Sequence, residues 1–164
     1  FRVERAPEWR GQRVFVRHEV GGKAYELRLS EESAGTQKLM GLAAYLMTAL
    51  ERGGAVVVDE LDAKLHPKLL RYVILLFKDP EVNKSGAQLI FSSQDVSTMR
   101  NDVFRRDEIW FAARGEGEAS QLWSLADIHE ANGNLVSKNA AFDKQYLSGR
   151  YGADPYLTRI EEWD

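Results

Sequence analysis

Two adjacent carboxylates close a short apolar run in Val56-Val-Val-Asp59-Glu60. An apolar strand ending in two acids delivers both to the C-terminal edge of a parallel sheet, where α/β folds bind their ligands. In nucleotide hydrolysis the pair would divide the work. Asp59 would hold the hydration shell of a Mg²⁺ ion, and Glu60 would polarise the attacking water. The same residues also fit a strand that runs into a polar loop, and the segment alone does not choose. A second segment, Leu29-Ser-Glu-Glu-Ser33-Ala-Gly35-Thr36-Gln-Lys38, opens a long helix. Serine and glycine ahead of a helix present backbone N–H groups to an anion, aided by the helix dipole. Ser33 would serve equally well as a simple N-cap. In a third segment, Gln88-Leu-Ile-Phe-Ser92-Ser93-Gln94-Asp95, another apolar run ends in polar residues able to reach the same sheet edge. It too reads by itself as an ordinary loop start.

The elements that must position these residues are visible in the periodicity. Residues 13–29 alternate, with Val14, Val16, Val20, Tyr25, Leu27 and Leu29 on one face and Arg13, Arg17, Glu19, Glu26 and Arg28 on the other. With Gly21-Gly22 between the halves, this predicts a β-hairpin with one wet face. A helix is expected from about Gly35 to Arg52, striped by Leu39, Leu42, Leu46 and Leu50 and ended by Gly53-Gly54. Ala55–Val58 lacks alternation, as a strand covered on both faces does. A helix from Pro67 to Phe77, a strand over Gln88–Phe91 and a short helix over Val96–Asn101 follow. Strands over Glu108–Ala112 and Ser120–Ser124, around a turn at 115–117, and helices over Asn139–Ser148 and Pro155–Glu162 complete the expectation. Such alternation predicts an α/β core with a largely parallel sheet flanked by helices and preceded by an antiparallel hairpin.

Taken in order, the three chemical segments resemble the ABC-type ATPase heads of the SMC-like and bacterial abortive-infection ATPases. Ser33-Ala34-Gly35-Thr36 matches the signature motif, and Asp59-Glu60 matches Walker B. Ala63-Lys64-Leu65-His66 lies where those heads place the D-loop, and Gln94 at the switch-histidine position. The run Asp59-Glu60-Leu-Asp62-Ala-Lys-Leu-His66-Pro67 looks most like the abortive-infection branch. So do Arg106-Asp-Glu-Ile-Trp-Phe111 and Tyr146-Leu-Ser-Gly-Arg150-Tyr-Gly-Ala153.

The resemblance implies a partial P-loop NTPase head that binds ATP and Mg²⁺. In it Glu60 and Gln94 are catalytic, Asp59 serves the metal, and Ser33, Gly35, Thr36 and His66 contact nucleotide. It further implies a homodimer of heads closing on ATP, and a nuclease or toxin effector or nucleic acid as the object of the cycle. On this reading a substitution such as Gly35→Asp blocks the dimer and spares the folding of the single head.

Two departures stand out. Gln94 replaces the histidine that usually reaches the γ-phosphate; its amide donates a hydrogen bond but carries no charge. No Gly-x-x-x-x-Gly-Lys-Ser/Thr occurs in the 164 residues, and Gly21-Gly22-Lys23 lacks the spacing. The Walker A motif is therefore expected from the N-terminal half of the same head, and this chain alone is expected to be inactive. That it begins with Phe1 fits an excised piece.

The chain is expected to form one domain. Residues 12–29 would be the hairpin, 30–52 the signature loop and helix, 55–124 Walker B to the closing strands, and 125–164 a tail. A formal net charge of −3 gives no overall pull toward nucleic acid, although residues 1–28 carry seven Arg/Lys against four Glu. No apolar run approaches membrane-spanning length, and the lack of cysteine excludes a disulfide framework, so a cytoplasmic home is expected. His18 and His129 are expected at the surface, and the aromatic residues Phe142, Tyr146, Tyr151, Tyr156 and Trp163 in packing.

A nuclease would need more clustered ligands than Asp59, Glu60 and Asp62 provide. A transporter ATPase fits the Leu65-His66-Pro67 continuation less well. The alternative reading is a dimerisation scaffold that binds ATP with little turnover, which Gln94 favours.

Overall fold

Gly21 and Gly22 adopt φ of 58° and 74°, left-handed values that a two-residue hairpin turn of matching twist requires. They join β2 (Gln12–Val20) to β3 (Lys23–Arg28) in antiparallel register, Val16 opposite Leu27 and His18 opposite Tyr25. A further strand not anticipated from the sequence, β1 (Arg2–Arg5), pairs with the other edge of β2. The computed structural model describes residues 2–5, 12–114, 119–130 and 133–153. Contacts cluster into two compact units, Phe1–Ser93 and Gln94–Asp164, the division falling within the segment expected to run from Walker B to the closing strands.

In the first unit, α1 (Ala34–Arg52) follows a short 3-10 turn at Leu29–Glu31. Its apolar stripe turns inward, with Leu46 and Ala49 buried, and Gly53 ends it at φ 80°, donating its N–H to the Ala49 carbonyl. Next, β4 (Ala55–Val58) and β5 (Gln88–Phe91) pair in parallel, Val57 opposite Ile90. Parallel neighbours need a crossover, and α2 (Pro67–Lys78) supplies it, burying Leu70, Val73 and Ile74.

The expectation that β4 is covered on both faces is overturned. Val58 is buried, but Val57 is 74% exposed and its partner Ile90 54% exposed. α1 contacts β4 and α2 contacts β5; they cover one side of a two-stranded sheet and leave the other bare. An unalternating apolar run fits such a sheet as well as one closed on both sides. Likewise, parallel pairing is confined to β4 and β5 among the described strands; the other two sheets are antiparallel.

The second unit is built on the antiparallel pair β6 (Trp110–Arg114) and β7 (Ser120–Ser124). The turn expected between them lies outside the described residues. Phe111 projects into a core with Ile109, Leu125, Val136, Phe142 and Tyr151. Tyr146 stacks on Phe111 at 5.7 Å between ring centroids, and the Trp123 indole N–H donates to the Tyr151 carbonyl. The aromatic packing expected of Phe142, Tyr146 and Tyr151 is thus present; Tyr156 and Trp163 lie outside the described residues. The short helix expected at Val96–Asn101 is a 3-10 turn at Val96–Thr98, and α3 spans Phe142–Leu147. The helix expected over Pro155–Glu162 also falls outside the described residues.

Candidate active site

The end of β4 carries Asp59 and Glu60 into solvent while Val58 anchors the strand in the core. Parallel pairing brings the end of β5 alongside, and there Ser92 bridges both acids. The Ser92 hydroxyl accepts the Glu60 backbone N–H at 2.7 Å and donates to Asp59 Oδ1. Its carbonyl accepts the Leu61 N–H at 3.0 Å. One hydroxyl thereby fixes the carboxylate of the first acid and the backbone of the second.

Beyond Glu60 the chain makes a run of tight turns. Ala63 N–H donates to the Glu60 carbonyl at 3.0 Å, and Leu65 N–H to the Asp62 carbonyl at 2.9 Å. Leu61, completely buried, and Leu65 root the turns in the core. Glu60 and Lys64 both take positive φ, 49° and 65°, an unfavourable conformation for residues with a Cβ. Such backbone persists only where its surroundings over-determine it.

The signature segment stands against this loop. Ser33 caps α1, its hydroxyl accepting the Thr36 N–H at 3.1 Å and lying 2.9 Å from the Thr36 hydroxyl. The N–H groups of Ala34 and Gly35 belong to the first turn, where an α-helix provides no carbonyl partners. Gly35 packs closely, since a Cβ built on it would lie 2.8 Å from the Lys64 carbonyl oxygen. The expectation that Gly35→Asp spares folding of the single head is therefore corrected: any side chain at Gly35 first meets backbone of the same unit. One turn later, Lys38 Nζ donates to the carbonyls of Glu60 at 2.5 Å and Ala63 at 3.0 Å.

The remaining site residues fall out differently. His66 is exposed and caps α2, its Nδ1 accepting the Lys68 N–H at 3.2 Å, with Pro67 at the first helical position. Gln94 opens the second unit. His18, expected to be a plain surface residue, places Nε2 2.5 Å from Glu32 Oε1 and ties β2 to the loop before the signature. His129 is exposed.

A single strand-end carboxylate with a hydroxyl beside it is a sparse donor set, and the described residues contain no group of three or more His, Cys, Asp or Glu poised around a metal. One such carboxylate fits Mg²⁺, which binds through one or two carboxylates, keeps several waters and takes its other ligands from phosphate. With Oδ1 held by Ser92, the Asp59 carboxylate has a second oxygen to present.

Ser92 and Lys38 are the residues that sequence reasoning passed over. Ser92 was visible as the polar residue closing a strand. Lys38 gave a weaker signal, a lysine one turn inside the helix and four residues from Leu42 of the apolar stripe.

Among the described residues no helix is long and apolar enough to cross a membrane. A search among curated proteins finds no match. A family model described as "AAA domain, putative AbiEii toxin, Type IV TA system" matches residues 2–100, more than half of the chain, a span that takes in Ser33, Gly35, Thr36, Asp59, Glu60, His66 and Gln94. The chain belongs to this family, as an AAA/ABC-like ATPase domain.

Proposed function

We propose that this chain is the signature and Walker B portion of an ATP-hydrolysing head, and that its phosphate-cradling loop is supplied by polypeptide outside these 164 residues. The observation that carries the reading is the strand-end pair Asp59-Glu60 held at both members by Ser92. In this account Asp59 presents its second oxygen to the hydration shell of Mg²⁺. Glu60 accepts a hydrogen bond from the attacking water and so orients it. When bound with ATP, Mg²⁺ neutralises charge that develops on the phosphoryl oxygens. The first-turn N–H groups of α1, at Ala34 and Gly35, offer anion-binding donors to a nucleotide held by a second head. Ser33 and Thr36 order that turn, and His66 reaches toward the same shared nucleotide. Gln94 donates a neutral hydrogen bond where a histidine is usual.

Two such heads close on ATP and reopen on hydrolysis. The family description points to a toxin–antitoxin setting, and we place the head in the cytoplasm, gating a toxin or nuclease in phage defence or a DNA-linked process. A second reading, an ATP-dependent dimerisation scaffold with little turnover, is favoured specifically by Gln94.

Steady-state phosphate release by the complete head separates the two. Glu60→Gln retains nucleotide binding and lowers turnover about 10²-fold or more, because the amide keeps the shape of the acid and loses its basic oxygen. Turnover that is negligible already in the parent protein, and unchanged by Glu60→Gln, moves the assignment to the scaffold.

A further inference from the structure

We propose that Lys38 is a positioning residue for Glu60, acting through the backbone of the loop that carries it. The proposal rests on the reading of Glu60 as the water-orienting acid. The direction of a side chain is set by the φ and ψ of its own residue, and Glu60 sits at φ 49°. Were it to relax into the ordinary right-handed or extended region, the carboxylate would leave the sheet edge.

Hydrogen bonds oppose that relaxation from three sides. Ser92 takes the Glu60 N–H from β5, and Ala63 reaches back to the Glu60 carbonyl from within the loop. Lys38 approaches from α1, 22 residues upstream, and its ammonium also holds the Ala63 carbonyl. Two carbonyls of the loop thereby converge on one charge. A charged donor makes a stronger bond than a neutral one, so Lys38 is the contact best able to keep both left-handed residues of the loop in place. Because it stands one turn beyond Gly35, it also makes the position of Glu60 depend on the signature end of α1. Displacement of that end is transmitted to the acid.

The test uses the complete head. Lys38→Met should lower kcat about 10²-fold, the order expected when a reacting group is displaced by about 1 Å, and leave KM for ATP unchanged. Lys38→Arg, whose guanidinium can serve both carbonyls, should recover most of the loss. Lys38→Gln, with a neutral donor, should fall between. On a Glu60→Gln background, Lys38→Met should cost nothing further, since the group it positions is already gone.

Hydrogen–deuterium exchange supplies a readout independent of turnover. The amides of Leu61, Ala63 and Leu65 should exchange faster in Lys38→Met and at the parental rate in Lys38→Arg. Parental kcat and parental exchange in Lys38→Met would overturn the proposal. So would a raised KM with unchanged kcat, which would make Lys38 a nucleotide ligand, or a loss additive with Glu60→Gln. If Glu60→Gln itself leaves turnover intact, the ATPase reading of Glu60 falls. If Glu60→Gln stops turnover and Lys38→Met does not, only the positioning role falls.

Discussion

Replacing Gly35 by alanine adds one methyl group to the first turn of α1, where its carbon would lie 2.8 Å from the Lys64 carbonyl oxygen. A carbon and a carbonyl oxygen do not rest that close, so helix or loop must move. The neighbour is backbone rather than the end of a flexible side chain. It belongs to a loop already fixed by Ser92, Lys38 and the buried Leu61. Forcing an extra methyl into well-packed surroundings costs about 1–3 kcal/mol. The better helix propensity of alanine returns at most about 1 kcal/mol. The net expectation is a loss of about 1 kcal/mol, equivalent to a Tm lower by roughly 2–4 °C at this chain length.

Gly41 supplies the control on the same helix. A Cβ there meets nothing within 4 Å, and its φ is not positive. Gly41→Ala should therefore raise stability by about 0.8–1 kcal/mol, the full propensity difference. Thermal melts of the two variants beside the parent, followed by circular dichroism, should move in opposite directions. If Gly35→Ala stabilises as Gly41→Ala does, the close approach of α1 to the loop is wrong, and with it the coupling through Lys38.

Ser92→Ala removes a hydroxyl that Asp59 and Glu60 share. It should cut turnover of the complete head about 10-fold or more while leaving the melting temperature nearly unchanged, because the group is exposed; parental kcat would take Ser92 out of the site. Burial, with the charge of Glu130 adding to it, pushes the Tyr151 hydroxyl up to about 12. Its hydroxyl donates to Gln145 Oε1 at 2.7 Å. A folded-state value above the unfolded one, about 10, means that the contribution of this tyrosine is complete below pH 10 and is lost as pH rises toward 12. Absorbance titration at alkaline pH, compared with Tyr151→Phe, should show one tyrosine ionising late and the stability of the parent falling toward that of the variant over this interval.

Much of the first unit was legible in the sequence because side-chain period and turn residues act locally. Gly21-Gly22, the leucine stripe of α1 and Pro67 each announced an element that the structure contains. β1 announced nothing, since four residues reading Arg-Val-Glu-Arg are held by pairing with β2. Val57 misled for a physical reason: a run of valines reports a preference for strand, not how many neighbours the strand has. At the site, Asp59 and Glu60 could be read because their chemistry lies in their side chains. The left-handed backbone of Glu60 could not, as glutamate has no tendency toward positive φ and adopts it through contacts 22 and 32 residues away in sequence. Lys38, and Ser92 in its bond to the Glu60 N–H, escaped for the same reason, both acting on main-chain groups that every residue type shares.

Calorimetric titration with Mg·ATP, of the 164-residue chain and of the complete head, bears most directly on the claim that these residues are the signature and Walker B part of a divided site. Without the nest of N–H groups and the lysine of a phosphate loop, Asp59 and Glu60 offer a triphosphate little but negative charge. The account predicts affinity no better than about millimolar for the chain alone, near −4 kcal/mol. It predicts affinity in the micromolar range, about −8 kcal/mol, once the phosphate loop is present. Micromolar binding by the 164-residue chain itself would contradict the account, for the nucleotide would then be held by residues other than those assigned here.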